Sequence, residues 1–351
     1  MMYKFTKEAT EKLLPDLHPQ ADLFICDVSD AVLKDDMASM EHPFFSLSKR
    51  PDNKIRRYEN GEKWLEVRPS ARGLATIYDK DILIYCISQI MAKINRGEQV
   101  SRQVKIVAKD MLTFINRELG GKQYKAILEG LERLRDTGIT TNIPTGNTQT
   151  TEGFGLIDAF KIERNPKTDI IVNMEVTLSD WVFNAIRGQE VLSLHRDYFR
   201  LKKPLERRVY EIARKHCGQQ TEWKIGLPLL KKKCGAQGSD RDFRTVLNEL
   251  VEGNHLPDYT VSFSEDAVTF ANREWAEQKA QQEQERENIR YPILDPETYH
   301  DARTVAPSYD VYFLEREWRN WWVESGMPQL HSADKAFIGF CRLRYAKQPH
   351  P

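Results

Sequence analysis

Two stretches of the chain that lie 119 residues apart share one pattern of side chains. In residues 123–131 and again in residues 242–250, an aromatic residue is followed by a cation and by aliphatic residues at three equivalent positions. This spacing places the aliphatic side chains on one face of an α-helix. Each copy follows a shorter helical pattern and precedes segments typical of β-strands. Helix, helix, helix and hairpin form the winged-helix variant of the helix-turn-helix motif, so the repeat predicts two such domains.

The segments around the two copies predict the same order of elements. Asn60-Gly61 is the strongest short hairpin signal because both residues tolerate positive φ. The first half is predicted to hold helices at 79–95, 109–119 and 122–137 and strands at 139–143, 154–163 and 170–178. The second half is predicted to hold helices at 204–217, 227–233 and 240–252 and a hairpin of 259–263 with 267–272.

These elements divide the chain into five parts and predict an α+β fold. The parts are an N-terminal extension or tail (1–45), a first winged-helix domain (46–191), a second winged-helix domain (192–274), a linker (275–307) and a small C-terminal helical unit (308–351). We expect both of these domains to contact DNA and the second to be the main DNA reader. The linker is rich in Gln, Glu and Lys, which is typical of a solvated segment.

The charge of the chain is distributed unevenly although its formal net value is zero. Residues 46–137 hold 19 basic and 12 acidic side chains, and residues 192–254 hold 14 basic and 8 acidic ones. Two basic blocks favour two surfaces that face DNA phosphates. The alternative is chance clustering of charges on solvated faces, since the charge distribution bears on which partners a protein binds and not on its fold.

The two repeated helices each leave a polar face beside their aliphatic face. Groups on that face can hydrogen-bond to guanine and adenine edges in the major groove of DNA. The residues predicted to read bases are Lys122, Gln123 and Lys125 in the first domain and Arg241, Arg244, Thr245 and Asn248 in the second. The alternative is that both are ordinary amphipathic helices with solvated faces.

Further cations near these helices are candidates for phosphate contacts, which fix the register of a protein on DNA. The predicted phosphate ligands are Arg207, Lys215, Lys231, Lys232 and Lys233 in the second domain and Arg56 and Arg57 on the early hairpin. The alternative for the lysine run is a solvated cluster, and the two hairpin arginines have the same alternative.

The sequence carries no pattern that favours catalysis. It contains no Walker-type phosphate loop and no His-x-His pair of the kind that holds a metal in rolling-circle nucleases. We therefore expect no cofactor, no metal and no enzymatic activity, and we expect Tyr198 to be a core residue rather than a nicking nucleophile. Five scattered cysteines, the lack of an apolar run in residues 1–14 and the lack of a membrane span favour the cytoplasm.

Aromatic residues are dense in the C-terminal unit. They are Trp318, Trp321, Trp322, Phe337, Phe340 and Tyr345. One interpretation is a small self-contained helical core. The other is a docking module for a host replication protein or a stacking platform for exposed single strands.

Four segments together resemble the replication initiator protein A family of bacterial plasmids. They are residues 73–85, residues 121–134 followed by 138–143, residues 198–201 with 203–208, and residues 210–218, within a similarity that spans roughly 44–273. One departure is Asp136-Thr137 after the first reading helix, where many members have Gly-Thr.

The resemblance implies paired winged helices that bind double-stranded DNA at repeated origin sites, open the duplex and recruit the host initiator and helicase. It also implies a homodimer that represses its own promoter. The alternative function is a winged-helix transcriptional repressor without a role in replication. A third hypothesis, a nicking nuclease, lacks the metal and phosphate motifs that such an enzyme needs.

Overall fold

The computed structural model describes residues 7–18, 34–142, 151–264, 266–278 and 291–349. The chain forms two compact units, Met1–Glu277 and Gln278–Pro351. The first unit combines helices with antiparallel sheets and the second is helical over its described residues, so the predicted α+β fold is confirmed. None of the described helices is long and apolar enough to cross a bilayer.

The first unit begins with an N-terminal segment and a hairpin. Its elements are α1 (Lys7–Lys12), β1 (Lys34–Asp36), α2 (Met37–Glu41), β2 (Arg56–Asn60) and β3 (Lys63–Arg68). Strands β2 and β3 pair antiparallel, and Gly61 at the turn has a φ of +62°, as the Asn-Gly signal predicts. Residues 7–18 and 34–45 were predicted as a tail or an accessory segment, and the burial of Leu13, Met40 and Phe44 in the main core favours the accessory segment.

The first winged-helix domain follows the hairpin. Its elements are α3 (Lys80–Asn95), β4 (Gln103–Val107), α4 (Ala108–Phe114), α5 (Gly121–Asp136), β5 (Gly138–Thr141), β6 (Glu152–Phe154), β7 (Ile157–Arg164), β8 (Ile171–Leu178), α6 (Asp180–Arg187) and β9 (Val191–Ser193). The wing is an antiparallel sheet in the order β4-β8-β7. Strands β5 and β6 join the early hairpin in a second sheet of order β2-β3-β5-β6, and β9 pairs with β1.

The second winged-helix domain opens with a 3₁₀ helix at Arg196–Arg200. Its elements are α7 (Pro204–His216), β10 (Glu222–Gly226), α8 (Leu227–Cys234), α9 (Asp240–Gly253), β11 (Tyr259–Ser264) and β12 (Ala267–Asn272), and residues 273–278 are helical. Its sheet has the order β10-β12-β11, which repeats the order of the first domain's wing. The internal repeat therefore corresponds to two domains of one topology, as predicted.

A buried network of charges joins the two domains. Arg207 on α7 donates to Asp81 on α3 at 2.7 Å, and Lys80 lies 3.0 Å from Glu211. Burial opposes ionisation of Glu211, but the charges of Lys80 and Arg208 hold its pKa below the ordinary value. Charges taken out of water persist only where they are paired in this way. The network therefore ties the first helix of one domain to the first helix of the other.

The second unit contains three described helices, α10 (Pro296–Val305), α11 (Val311–Glu324) and α12 (Ala333–Lys347). Trp318, Phe337 and Cys341 are buried in their common core, which supports the prediction of a self-contained helical core. Helix α10 lies within the range predicted as a linker, yet Ala302 is fully buried in the same core. The helical unit therefore starts earlier than residue 308.

Candidate nucleic-acid interface

Helix α5 is the helix predicted to read DNA in the first domain, and it packs as its pattern predicts. It starts directly after Gly120, whose extended backbone separates α5 from the segment that follows α4. Ile127, Leu131 and Leu134 are buried in the core. On the other side, Lys122 and Lys125 are exposed and Gln123 is half-buried. The polar face of α5 is therefore accessible to a groove, and its base contacts stay a prediction.

Helix α9 is the equivalent helix of the second domain. The Ser239 hydroxyl accepts a hydrogen bond from the Asp242 amide at 3.1 Å, and the Asp242 carboxylate reaches back to the Ser239 amide. This reciprocal cap satisfies amides that a helix start leaves unpaired. Phe243, Leu247 and Leu250 are buried, and the predicted base readers Arg241, Thr245 and Asn248 are all exposed.

Arg244 lies between α9 and its wing. Its guanidinium pairs with Asp266 in the turn of the β11–β12 hairpin and stacks over the Phe263 ring at 5.2 Å from the centroid. This arrangement fixes the side chain at the junction of reading helix and wing. For Arg244 to contact a base, a base edge must replace Asp266 as its partner. Breaking that ion pair costs free energy that a base contact by Arg241 does not require.

The lysine run on α8 divides into structural and accessible members. Lys231 donates to the Gly238 carbonyl at 2.8 Å and pairs with Asp240 at 2.6 Å, which holds the turn before α9. Lys233 pairs with Glu41 on α2. Lys232 is exposed, and Lys215 on α7 is half-buried. Among these four predicted phosphate ligands, Lys232 is the most accessible.

Arg207 was wrongly predicted as a phosphate ligand. Only 3% of its surface is exposed, and its guanidinium donates to Asp81 and to the Phe199 carbonyl at 3.0 Å. It also lies 4.8 Å from the ring centroid of Tyr78. The sequence shows a cation on an amphipathic helix, but it does not show that another domain covers that face.

The early hairpin carries the remaining predicted cations. Arg57 stacks over the Trp64 ring at 4.7 Å from the centroid and donates to Glu59 at 2.8 Å. Arg56 is largely covered and pairs with Asp52 at 2.7 Å. Arg57 is half-exposed and remains a candidate ligand, whereas Arg56 has a structural partner.

The hairpin meets the second domain at the turn between α8 and α9. Gly235 has a φ of +66°, and a Cβ there would lie 2.6 Å from Pro43 and 3.1 Å from the Tyr58 hydroxyl. Lys63 on β3 and Lys232 on α8 line one surface cavity beside this contact. Lys63 was not predicted from the sequence, because only the packing of the hairpin on α8 brings it to the lysine run.

Two residues at this junction have shifted pKa values. Burial lowers the pKa of His42 to about 4, and the charges of Arg208, Lys233 and Lys63 act in the same direction, while Glu41 opposes them. Burial also opposes ionisation of Glu41, but hydrogen bonds from His216 and Lys233 hold its pKa well below its usual range. Lys233 is therefore engaged with Glu41, whereas Lys63 and Lys232 are exposed.

The other candidate reactive residues have structural surroundings. Tyr198 is fully buried and donates to Glu211 at 2.6 Å, so the prediction of a core tyrosine is confirmed. The four cysteines within the described residues are free and buried, and burial raises the pKa of the Cys234 thiol to about 12. Cys26 lies outside the described residues. Within the described ranges, no group of three or more metal-ligating side chains occurs.

Two solved structures that are similar to this chain are both of domains 2 and 3 of RctB, and their likeness is limited. A selenomethionine form has a TM-score of 0.49 at 12% identity and covers 66% of this chain and 94% of its own. The other has a TM-score of 0.47 at 11% identity and covers 69% of this chain and 99% of its own.

Two sequence comparisons cover most of the chain. A family model described as Replication initiator protein A matches residues 34–261. A putative replication protein of Wigglesworthia glossinidia brevipalpis is 37% identical over 258 residues, which is 72% of this chain and 94% of that protein. The matched range includes both reading helices and the network that joins their domains. The chain therefore belongs to the replication initiator protein A family.

Proposed function

We propose that this chain initiates replication by binding repeated double-stranded sites at an origin through its two reading helices. One observation carries the proposal: α5 and α9 both bury an aliphatic face and expose a polar face that carries cations or amides. Guanidinium and amide groups can form paired hydrogen bonds with guanine and adenine edges in the major groove. Membership of the family supports the replication role.

In this proposal the second domain is the main reader of sequence. Arg241, Thr245 and Asn248 enter the major groove, and Arg244 joins them where a base edge replaces Asp266. Lys122, Gln123 and Lys125 contact a second groove segment from the first domain. Lys232, Lys63 and Arg57 hold the phosphate backbone beside α9.

Binding to DNA fragments from the flanks of the gene tests this assignment. Sites are first located by footprinting, and affinities are then measured by fluorescence anisotropy at fixed salt. Arg241→Ala and Asn248→Ala should each cost about 1–3 kcal/mol of binding free energy and relax the base preference at one position. Lys105→Ala, on the exposed side of β4, is the matched control. Equal weakening on every sequence would contradict base reading by α9.

The phosphate contacts have a different signature. Lys232→Ala and Lys63→Ala should weaken all sequences alike and reduce the slope of log affinity against log salt by about one unit each. Lys231→Ala is the contrasting variant, because Lys231 already pairs with Asp240. A salt slope unchanged by Lys232→Ala would remove this residue from the proposed interface.

The proposal extends to what happens after binding. We propose that the bound chain opens the duplex, recruits a host initiator and helicase, and represses its own promoter as a homodimer, all in the cytoplasm and without catalysing a reaction. The second unit is our candidate for the docking module, since Trp321 is 48% exposed outside an aromatic core. Deletion of residues 278–351 should leave site binding intact and abolish plasmid maintenance. Loss of site binding in that deletion would contradict the division of labour.

A further inference from the structure

The described N-terminal segment, residues 7–18, runs across both winged-helix domains. On the second domain, the Leu14 amide donates to the Arg200 carbonyl at 2.8 Å, and the Arg200 guanidinium donates back to the Leu14 carbonyl at 2.8 Å. Lys202 donates to the Glu11 carbonyl at 3.3 Å. Helix α1 also packs against α9, the reading helix of that domain.

The same segment is bonded to the turn that precedes the other reading helix. The Leu17 amide donates to the Asn116 side-chain oxygen at 2.8 Å, and the Asn116 amide group donates to the Pro15 carbonyl at 2.9 Å. The His18 ring lies 2.9 Å from the Arg117 carbonyl. Asn116 has a φ of +55° and lies between the end of α4 and the start of α5.

Apolar burial adds to these polar contacts. Ala9 is 2% exposed and Leu13 is 3% exposed. Asp16 also lies 3.4 Å from Arg196 in the second domain. A dozen residues are therefore held by apolar burial on one side and by side-chain hydrogen bonds to Asn116 on the other.

We propose that residues 7–18 form an interdomain clasp that acts together with the buried charges between α3 and α7 to fix the separation and rotation of α5 and α9, so that the chain selects the spacing between two base sequences on one DNA. This inference rests on the proposed function. It adds a determinant of specificity that lies outside both reading helices and contacts no base.

The physical reason is the geometry of the duplex. One inserted base pair moves a groove segment by about 3.4 Å and, at about 10.5 base pairs per turn, rotates it by about 34°. Two reading helices held at a fixed separation and rotation cannot follow that change, so one of them no longer fits its groove. Two readers on a flexible joint can follow it, at the cost of a lower effective concentration of the second reader.

The test uses the full chain and two changes that open the clasp. Asn116→Gly keeps the positive φ and removes both amide contacts, and Asp16→Ala removes the pair with Arg196. Gln189→Gly is the matched control, because Gln189 is exposed, has a φ of +57° and lies outside the clasp. Binding is measured on the footprinted site and on sites with one or two base pairs inserted between the two contacted segments.

The wild type and Gln189→Gly should lose about a hundredfold in affinity with each inserted site, which is the lower end of the range that a lost second contact gives. The double variant, in which Arg207 and Asp81 still pair, should lose at least about threefold less affinity than the wild type on the same insertions. An equal spacing penalty in the double variant would overturn the proposal.

A second measurement needs no DNA. Spin labels at Lys125→Cys and Asn248→Cys report the distance between the reading helices, since the described native cysteines are buried. The double variant should broaden that distance distribution and Gln189→Gly should not. An unchanged distribution overturns the clasp itself, whereas a broadened distribution in a chain that binds no specific site supports the clasp and overturns the proposed function.

Discussion

The two winged-helix domains share one topology but hold their reading helices by different means. Helix α9 is fixed locally, by the reciprocal cap of Ser239 and Asp242 and by the pairing of Lys231 with Asp240. Helix α5 has no side-chain cap and is held from its flank, where Arg133 donates to Asp79 at 2.7 and 2.8 Å. The position of α9 is therefore fixed by residues in the helix and in the turn before it, whereas α5 is fixed by a contact with Asp79, which lies elsewhere in the domain.

The charges at the helix starts differ in the same way. Asp240 and Asp242 lie in the first turn of α9, whereas the first turn of α5 has no acidic residue. Carboxylates at the N-terminus of a helix interact favourably with the helix dipole but repel a DNA phosphate. We therefore expect the nearest DNA phosphate to lie farther from the start of α9 than from the start of α5. Three tests break or sharpen this comparison.

The largest effect is expected at the joint that the two domains share. Arg207→Ala leaves Asp81 buried with Arg117 as its remaining ionic partner, and the loss of one member of a buried pair costs about 3–5 kcal/mol of unfolding free energy. Denaturant unfolding measures this, with Lys105→Ala as the exposed control. Unchanged stability together with a smaller salt dependence of DNA binding would restore Arg207 as a phosphate ligand.

A smaller effect separates the two helix flanks. A Cβ at Gly130 would lie 2.9 Å from the Asp79 carboxylate that holds Arg133, so Gly130→Ala should destabilise the fold by about 1–3 kcal/mol. The equivalent position of α9 is Glu249, which is exposed, and Glu249→Ala should change stability by less than about 0.5 kcal/mol. Thermal unfolding of both variants decides the point, and a gain of stability in Gly130→Ala would show that α5 is not held at this flank.

The smallest effect separates the two helix starts. Ser239→Ala removes the cap of α9 and should cost about 1 kcal/mol. Gly120 is the N-cap of α5 and makes no side-chain cap bond, and glycine is preferred to alanine at an N-cap, so Gly120→Ala should cost only about 0.5 kcal/mol. The expected result is a larger fall in melting temperature for Ser239→Ala than for Gly120→Ala. Equal losses of stability in the two variants would mean that the two helix starts are alike.

The fold was largely predictable because its signals are local. The repeat placed α5 and α9 in matched surroundings, and the helix predicted at 79–95 is observed at Lys80–Asn95. The buried faces followed from aliphatic spacing, as Ile127 and Leu247 show. The start of the C-terminal unit was placed too late, because α10 has few large apolar residues and is buried through Ala302.

The candidate site was less predictable because it depends on which surfaces meet. Arg207 and Lys232 look alike in sequence as cations on helices, yet one is covered by α3 and the other is exposed. Lys63 joins the lysine run only through the contact of the hairpin with α8. The role of residues 7–18 also required tertiary contacts, since their bonds reach Asn116 and Arg200 far along the chain.

Strand pairing in the two domains has a consequence for the order in which the chain folds. Strand β3 pairs with β5 through Leu65 and Thr141, and β1 pairs with β9 through Lys34 and Ser193. In the second domain the pairing of longest range in the sheet joins Glu222 to Ala271. Closing long loops slows folding. During translation the first winged-helix domain therefore cannot complete its strand pairing until residues near 193 have been synthesised. The second winged-helix domain is translated later, but it needs a shorter stretch of chain to complete its sheet.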